Sequence, residues 1–139
     1  NDQHNAGALC STIDVAPSVL ERVGLTPYNG IQGQSLLPLM AGGTEKLRDY
    51  ALIEEEGQRV MFGLTARVRM RTVLNQRYRL SLYDGTEWGE LYDLQNDPME
   101  LDNLWFSAEH ITEKATLLKA LAETMIKHSE TSPNPTAIA

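Results

Sequence analysis

One cysteine, two tryptophans and two phenylalanines are scattered through 139 residues. A lone cysteine, Cys10, excludes an internal disulfide framework, and it is expected as a small buried apolar residue rather than a reactive thiol. Long apolar runs are also missing, since none approaches the ~20 residues that span a bilayer. Positive charge is scarce: 12 Lys and Arg stand against 19 Asp and Glu, a formal net charge of −7. That balance argues against a nucleic-acid partner, whose binding rests on neutralising phosphates. Asn1 to Asn5 carry neither a basic nor an apolar stretch, so no signal peptide is read here, and the compartment of a longer parent stays open. His4, His110 and His128 lie far apart, which predicts neither a metal cluster nor a Ser/His/Asp relay.

What is present is enough for one domain. Hydrophobic residues make up 42%, and a chain of this length buries roughly 65–70% of its unfolded surface. Ala8 to Ile13 reads as the end of a strand. Asp14 sits where an N-cap belongs, Pro17 suits a first turn, and Val15, Val19, Leu20 and Val23 form a stripe ending at Gly24. A short helix over Val15–Val23 follows. Leu25 to Gly43 is a Gly- and Pro-rich connector, with one helical turn capped by Ser35.

The middle is β. Tyr50 to Glu56, Arg67 to Leu74, Arg77 to Tyr83 and Glu90 to Leu94 are separated by polar turns, and Arg59 to Leu64 offers a further short strand. In the last third, Leu117, Leu118, Leu121, Ala122, Met125 and Ile126 make one stripe at helical period, with Thr112 as N-cap and Glu113 at the favourable end of the dipole. The resulting fold class is α+β: about four antiparallel strands packed against a long C-terminal helix, preceded by a short helix and connector. The expected organisation is 1–43, 44–128 and a frayed tail over 129–139, with Pro133 and Pro135.

The run Gly-Glu-Leu-Tyr-Asp-Leu-Gln-Asn-Asp-Pro-Met-Glu-Leu-Asp-Asn-Leu, residues 89 to 104, resembles the signature near the C-terminus of sulfatases. Ser11 to Leu20, Gln32 to Leu39 with Ala41-Gly42, Arg69 to Thr72 and Arg77 to Leu80 resemble further family segments in the family's order, although Lys is commoner where Arg79 stands. The resemblance implies the tail of an arylsulfatase-like enzyme of the alkaline phosphatase superfamily. It further implies a formylglycine and a divalent metal, usually calcium, in a catalytic domain that would be this chain's partner. Neither transfers to these residues. Cys10 lacks the Pro/Ala and Arg of the formylglycine context, Val15 stands where Cys or Ser would be needed before Pro17-Ser18, and the paired Asp of the metal motif is absent. Asp102-Asn103 imitates a metal pair but is expected to bond local backbone.

No catalytic, cofactor or metal residue is therefore assigned. Glu90, Leu91, Tyr92, Asp93, Leu94, Asp97, Pro98, Glu100, Asn103 and Leu104 are read as a structural signature. Leu91 and Leu94 are expected to bury against the helix, and Leu104, Trp105 and Phe106 to anchor the crossing, with Trp88 a second anchor or part of an interface. Arg67, Arg69 and Arg71 alternate and so share one strand face. Two readings stand: an anion-facing rim of the parent's cleft, or, preferred, cross-strand pairing with Glu54 and Glu56. The function that follows is a structural C-terminal subdomain, inactive alone. The alternative is a stand-alone protein-interaction module. Self-association through an exposed helix face is expected in isolation.

Overall fold

Three stretches of six residues and one of five form strands: β1 (Ala51–Glu56), β2 (Arg69–Leu74), β3 (Tyr78–Tyr83) and β4 (Gly89–Asp93). They form one antiparallel sheet in sequence order. The computed structural model describes residues 7–60 and 63–129, so His4 and the tail after Ser129 lie outside it. The helices are α1 (Val15–Arg22), α2 (Leu37–Met40) and α3 (Ile111–Lys127). The chain groups into two compact units, one reaching Asp49 and including His128 and Ser129, the other running from Tyr50 to Lys127.

In the second unit, register places Val73 beside Leu80 and Leu80 beside Leu91. These three have no exposed surface and cluster with Leu117, Ala120 and Leu121 of α3. Covering this row removes apolar area from water at roughly 25 cal/mol per Å². The buried line of α3 is Leu117, Ala120, Leu121 and Thr124, whereas Met125 and Ile126 are exposed. The predicted stripe is thus rotated, because the sheet takes the i, i+3, i+4, i+7 positions. Thr112 is not the cap: the helix begins at Ile111, directly after a 3-10 turn over Ala108–His110. Asn75 closes the β2–β3 hairpin as expected, its Oδ1 accepting from Arg77 N at 2.8 Å and Tyr78 N at 2.7 Å.

Arg59, Val60, Gly63 and Leu64 form no strand, and Met61 and Phe62 lie outside the described residues. Gly63 turns the chain at φ +73°, a conformation incompatible with an extended run. Among the described residues, Val68 N–H bonds back to the Arg59 carbonyl, at 3.3 Å.

The first unit departs more from expectation. Ala8 to Ser11 joins no ladder, and Thr12–Asp14 is a 3-10 turn. A strand needs a neighbour, and none of the four takes this segment. Cys10 is exposed, its Sγ 3.5 Å from the Ala8 carbonyl.

Asp14 is fully buried but does not cap α1. Its Oδ2 accepts from Ser11 N and Arg48 Nη1, both at 2.7 Å, and its Oδ1 from Gln34 N at 2.9 Å and Arg48 Nη2 at 2.5 Å. Ser18 Oγ donates to the Asp14 carbonyl at 2.5 Å and accepts from Leu36 N at 2.8 Å. One carboxylate therefore ties the start of α1 to residues 34 and 48. At the far end, Gly24 N–H donates to Glu21 O and Leu25 N–H to Leu20 O, which closes the helix. Ile13, Val15, Val19 and Val23 are 46%, 54%, 57% and 63% exposed, an apolar stripe left uncovered by the described residues.

Burial alone would raise the Asp14 pKa, but Arg48 and the Gln34 and Ser11 N–H groups outweigh it, and the net shift is downward. A depressed carboxyl pKa contributes stability above the unfolded value and loses it as pH falls through the folded one. Asp14→Ala is expected to cost about 3–5 kcal/mol by leaving Arg48 buried without its partner. Urea unfolding at pH 7 measures it. Acid titration of the unfolding midpoint below pH ~4 should flatten in Asp14→Asn relative to wild type.

Candidate functional site

The signature strand is followed by a turn in which the side chains of Asp93, Asn96, Asp97, Glu100 and Asn103 have defined partners. Asp93, at the end of β4, is 4% exposed. Its Oδ2 accepts from Arg77 Nε at 3.1 Å, Arg77 Nη2 at 2.8 Å and Asn96 Nδ2 at 2.9 Å, while Oδ1 accepts from Gln95 N at 3.1 Å. The Arg77 guanidinium, above all, holds this carboxyl below its ordinary pKa. Asp97 Oδ2 accepts from the N–H groups of Leu101 at 2.7 Å and Asp102 at 2.9 Å. Pro98 lies between, on the turn that Glu100 N closes onto the Asp97 carbonyl.

Glu100 is the one described non-glycine residue with positive φ, at 55°. Such a conformation costs energy for a residue with a Cβ. Its carboxylate receives Arg79 Nε at 3.0 Å and Nη2 at 2.5 Å, a two-pronged pair. The same guanidinium donates to Ser81 Oγ at 2.7 Å and Glu90 Oε2 at 3.2 Å, and lies 4.9 Å over the Tyr92 ring. Tyr83 O–H donates to Glu90 at 3.1 Å. Burial and then the Glu90 charge push the Tyr83 hydroxyl up to about 12. Trp88 packs against Tyr83 with ring centroids 4.8 Å apart.

Asn103 covers the outer edge of β4. Its Oδ1 accepts from Leu91 N at 3.1 Å and Trp105 N at 3.0 Å, and its Nδ2 donates to the Gly89 carbonyl at 3.0 Å. A side-chain amide thereby takes the place of a neighbouring strand. Trp105 closes over Gly89 so tightly that a Cβ there would sit 2.7 Å from the indole. Leu104 and Trp105 pack on the core, but Phe106 is 79% exposed, correcting the expected three-residue anchor. A 3-10 turn over Leu104–Phe106 sends the third side chain outward. Leu94 is only partly buried, unlike Leu91.

On the face that carries α3, Glu54 lies opposite Arg71 and Glu56 opposite Arg69. Arg69 Nε donates to Glu56 Oε2 at 2.8 Å and Arg71 Nη2 to Glu56 Oε1 at 2.7 Å. Arg71 Nε lies 2.9 Å from Glu54 Oε1 without hydrogen-bond alignment, and Arg69 Nη1 is 3.6 Å from Asp84 Oδ2. Arg67 is exposed and precedes the strand, so only two of the three arginines share the ladder. Sequence reasoning missed Arg48 and the edge role of Asn103, whose partners lie 34 and 12 to 14 residues away.

The family model for the C-terminal region of N-sulphoglucosamine sulphohydrolase matches residues 1–128. An N-acetylglucosamine-6-O-sulfatase of Bacteroides thetaiotaomicron is 26% identical over 140 residues, covering 93% of this chain and 23% of the relative. Among solved structures, the phosphonate monoester hydrolase of Agrobacterium radiobacter is 26% identical with a TM-score of 0.73, covering 91% of this chain and 27% of that one. The phosphonate monoester hydrolase of Silicibacter pomeroyi shares the fold at 21% identity and a TM-score of 0.78, over 95% of this chain and 28% of its own. The chain thus spans about a quarter of the length of each.

Asn103→Ala leaves two N–H groups and one carbonyl without their partner, and is expected to lower stability by about 2–4 kcal/mol. Asn103→Asp keeps both acceptor contacts and loses the donor, so it should fall between. Denaturant unfolding ranks the three, and amide exchange at Leu91 reports whether the loss is at the edge.

Proposed function

The chain belongs to the N-sulphoglucosamine sulphohydrolase C-terminal family, and we propose that it serves as the structural C-terminal subdomain of a longer sulfatase, a hydrolase of sulfate esters. The observation that carries this reading is the engagement of the signature's polar groups within the fold. Asp93, Asp97, Glu100 and Asn103 hold a turn, a strand edge and two arginines. Groups committed in this way position backbone, whereas catalysis needs a nucleophile and a proton-transfer group facing substrate.

The chemistry on this reading belongs to a catalytic domain in the part of the parent that the chain does not span. A formylglycine would supply the nucleophile there, and calcium would stabilise the sulfate charge. Asp102-Asn103 does not fit a share in that calcium site, because the Asn103 amide is already taken on both its oxygen and its nitrogen. Hard cations of this kind gather six to eight oxygen ligands. Among the described residues, no three His, Cys, Asp or Glu side chains are grouped so that they could hold a metal ion.

The catalytic domain is also the partner that the first 43 residues suit. The exposed stripe of Ile13, Val15, Val19 and Val23 gives a docking face for it, and would drive self-association of the chain alone. The sheet-and-helix part, 44–128, would then shape the rim of the substrate cleft, with Arg69 and Arg71 holding β1 to β2.

The test pairs the 139-residue chain with its full-length parent in a 4-nitrophenyl sulfate assay. The chain alone is expected to release nitrophenol at the buffer rate while the parent turns over. Turnover by the chain alone, matching its protein peak through purification, would refute the reading.

A further inference from the structure

An open cleft of about 430 Å³ lies between the sheet and α3, with Leu82, Leu121 and Met125 on its apolar side and Glu56, Arg69, Arg71 and Asp84 on its charged side. One carboxylate, that of Glu56, holds both guanidiniums, at 2.8 Å from Arg69 Nε and 2.7 Å from Arg71 Nη2. Glu56 is the last residue of β1 and its side chain is 53% exposed. It can swing into water without disturbing the ladder. Arg71 is held more firmly: its side chain is 25% exposed, and its Nη1 donates to the Met70 carbonyl at 2.9 Å.

We propose that this cleft binds an amphipathic organic monoanion. The head, a sulfonate or carboxylate, replaces Glu56 between Arg69 and Arg71, and a flat apolar body lies on Leu82, Leu121 and Met125. The head takes over N–H donors that already serve an anion, so the charge pairing of the arginines is kept. Covering the apolar side supplies the gain. Glu54 and Asp84 also lie beside the arginines. Their charges select one negative charge over two, because a dianion would meet two further carboxylates. This goes beyond the structural role proposed above and does not depend on the parent's substrate.

The probe is 1-naphthalenesulfonate, titrated into the 139-residue chain and followed by calorimetry and by the methyl NMR signals of Leu82, Leu121 and Met125. Saturable one-to-one binding with shifts at those methyls is expected, and 1-naphthalenemethylammonium should give none. Glu56→Gln, which removes the competing charge at an exposed position, should tighten binding roughly fivefold, and Arg69→Gln should weaken it by a similar factor. A purely structural role for Glu56 would not tighten anything. The proposal is overturned if the sulfonate does not saturate, if the cation binds equally, if the shifts fall elsewhere, or if Glu56→Gln leaves affinity unchanged or lowers it.

Discussion

Three side chains standing side by side, Val73, Leu80 and Leu91, carry the sheet-and-helix unit, since none has any surface in contact with water and all belong to one cluster with Leu117, Ala120 and Leu121 of α3. Their alignment is a matter of register. A slip of one residue would turn every such side chain to the opposite face. The devices that fix register are polar and lie around the row: Asn75 at the first hairpin, Arg77 on Asp93, Arg79 on Glu100, and Asn103 along the last edge. The apolar row supplies the driving force, and the polar set chooses one arrangement.

The same division separates what could be read in the chain from what could not. Strand alternation and the helical stripe are local patterns with periods of two and 3.6, so the α+β sheet-and-helix order was legible, as was the sulfatase signature. The face of α3 was less so. Its apolar residues span more than one line, and only the sheet determines that Leu117, Ala120, Leu121 and Thr124 are covered while Met125 is not.

Asp14 and Asn103 mark the limit more sharply. Each belongs to a residue type with strong local habits, capping a helix or closing a turn, and the local reading was the natural one. In the fold, Asp14 reaches Arg48 and Gln34, and Asn103 reaches β4. Long-range polar pairing leaves no periodic trace, so one sequence does not display it. Arg69 and Arg71 fall between these cases: their alternation and the facing glutamates were visible, and the register sets Arg69 against Glu56 and Arg71 against Glu54.

The left-handed backbone at Glu100 has a consequence for how such a tail can vary. A glycine there would relax the backbone but abandon Arg79, which would then lie over Tyr92 with Glu90 and Ser81 as its remaining partners among the described residues. A lysine in place of Arg79 would keep the charge but lose the fork that grips both carboxylate oxygens. Positions 79 and 100, 21 residues apart, are therefore coupled in this fold, and a change at either one alters what the other has to hold.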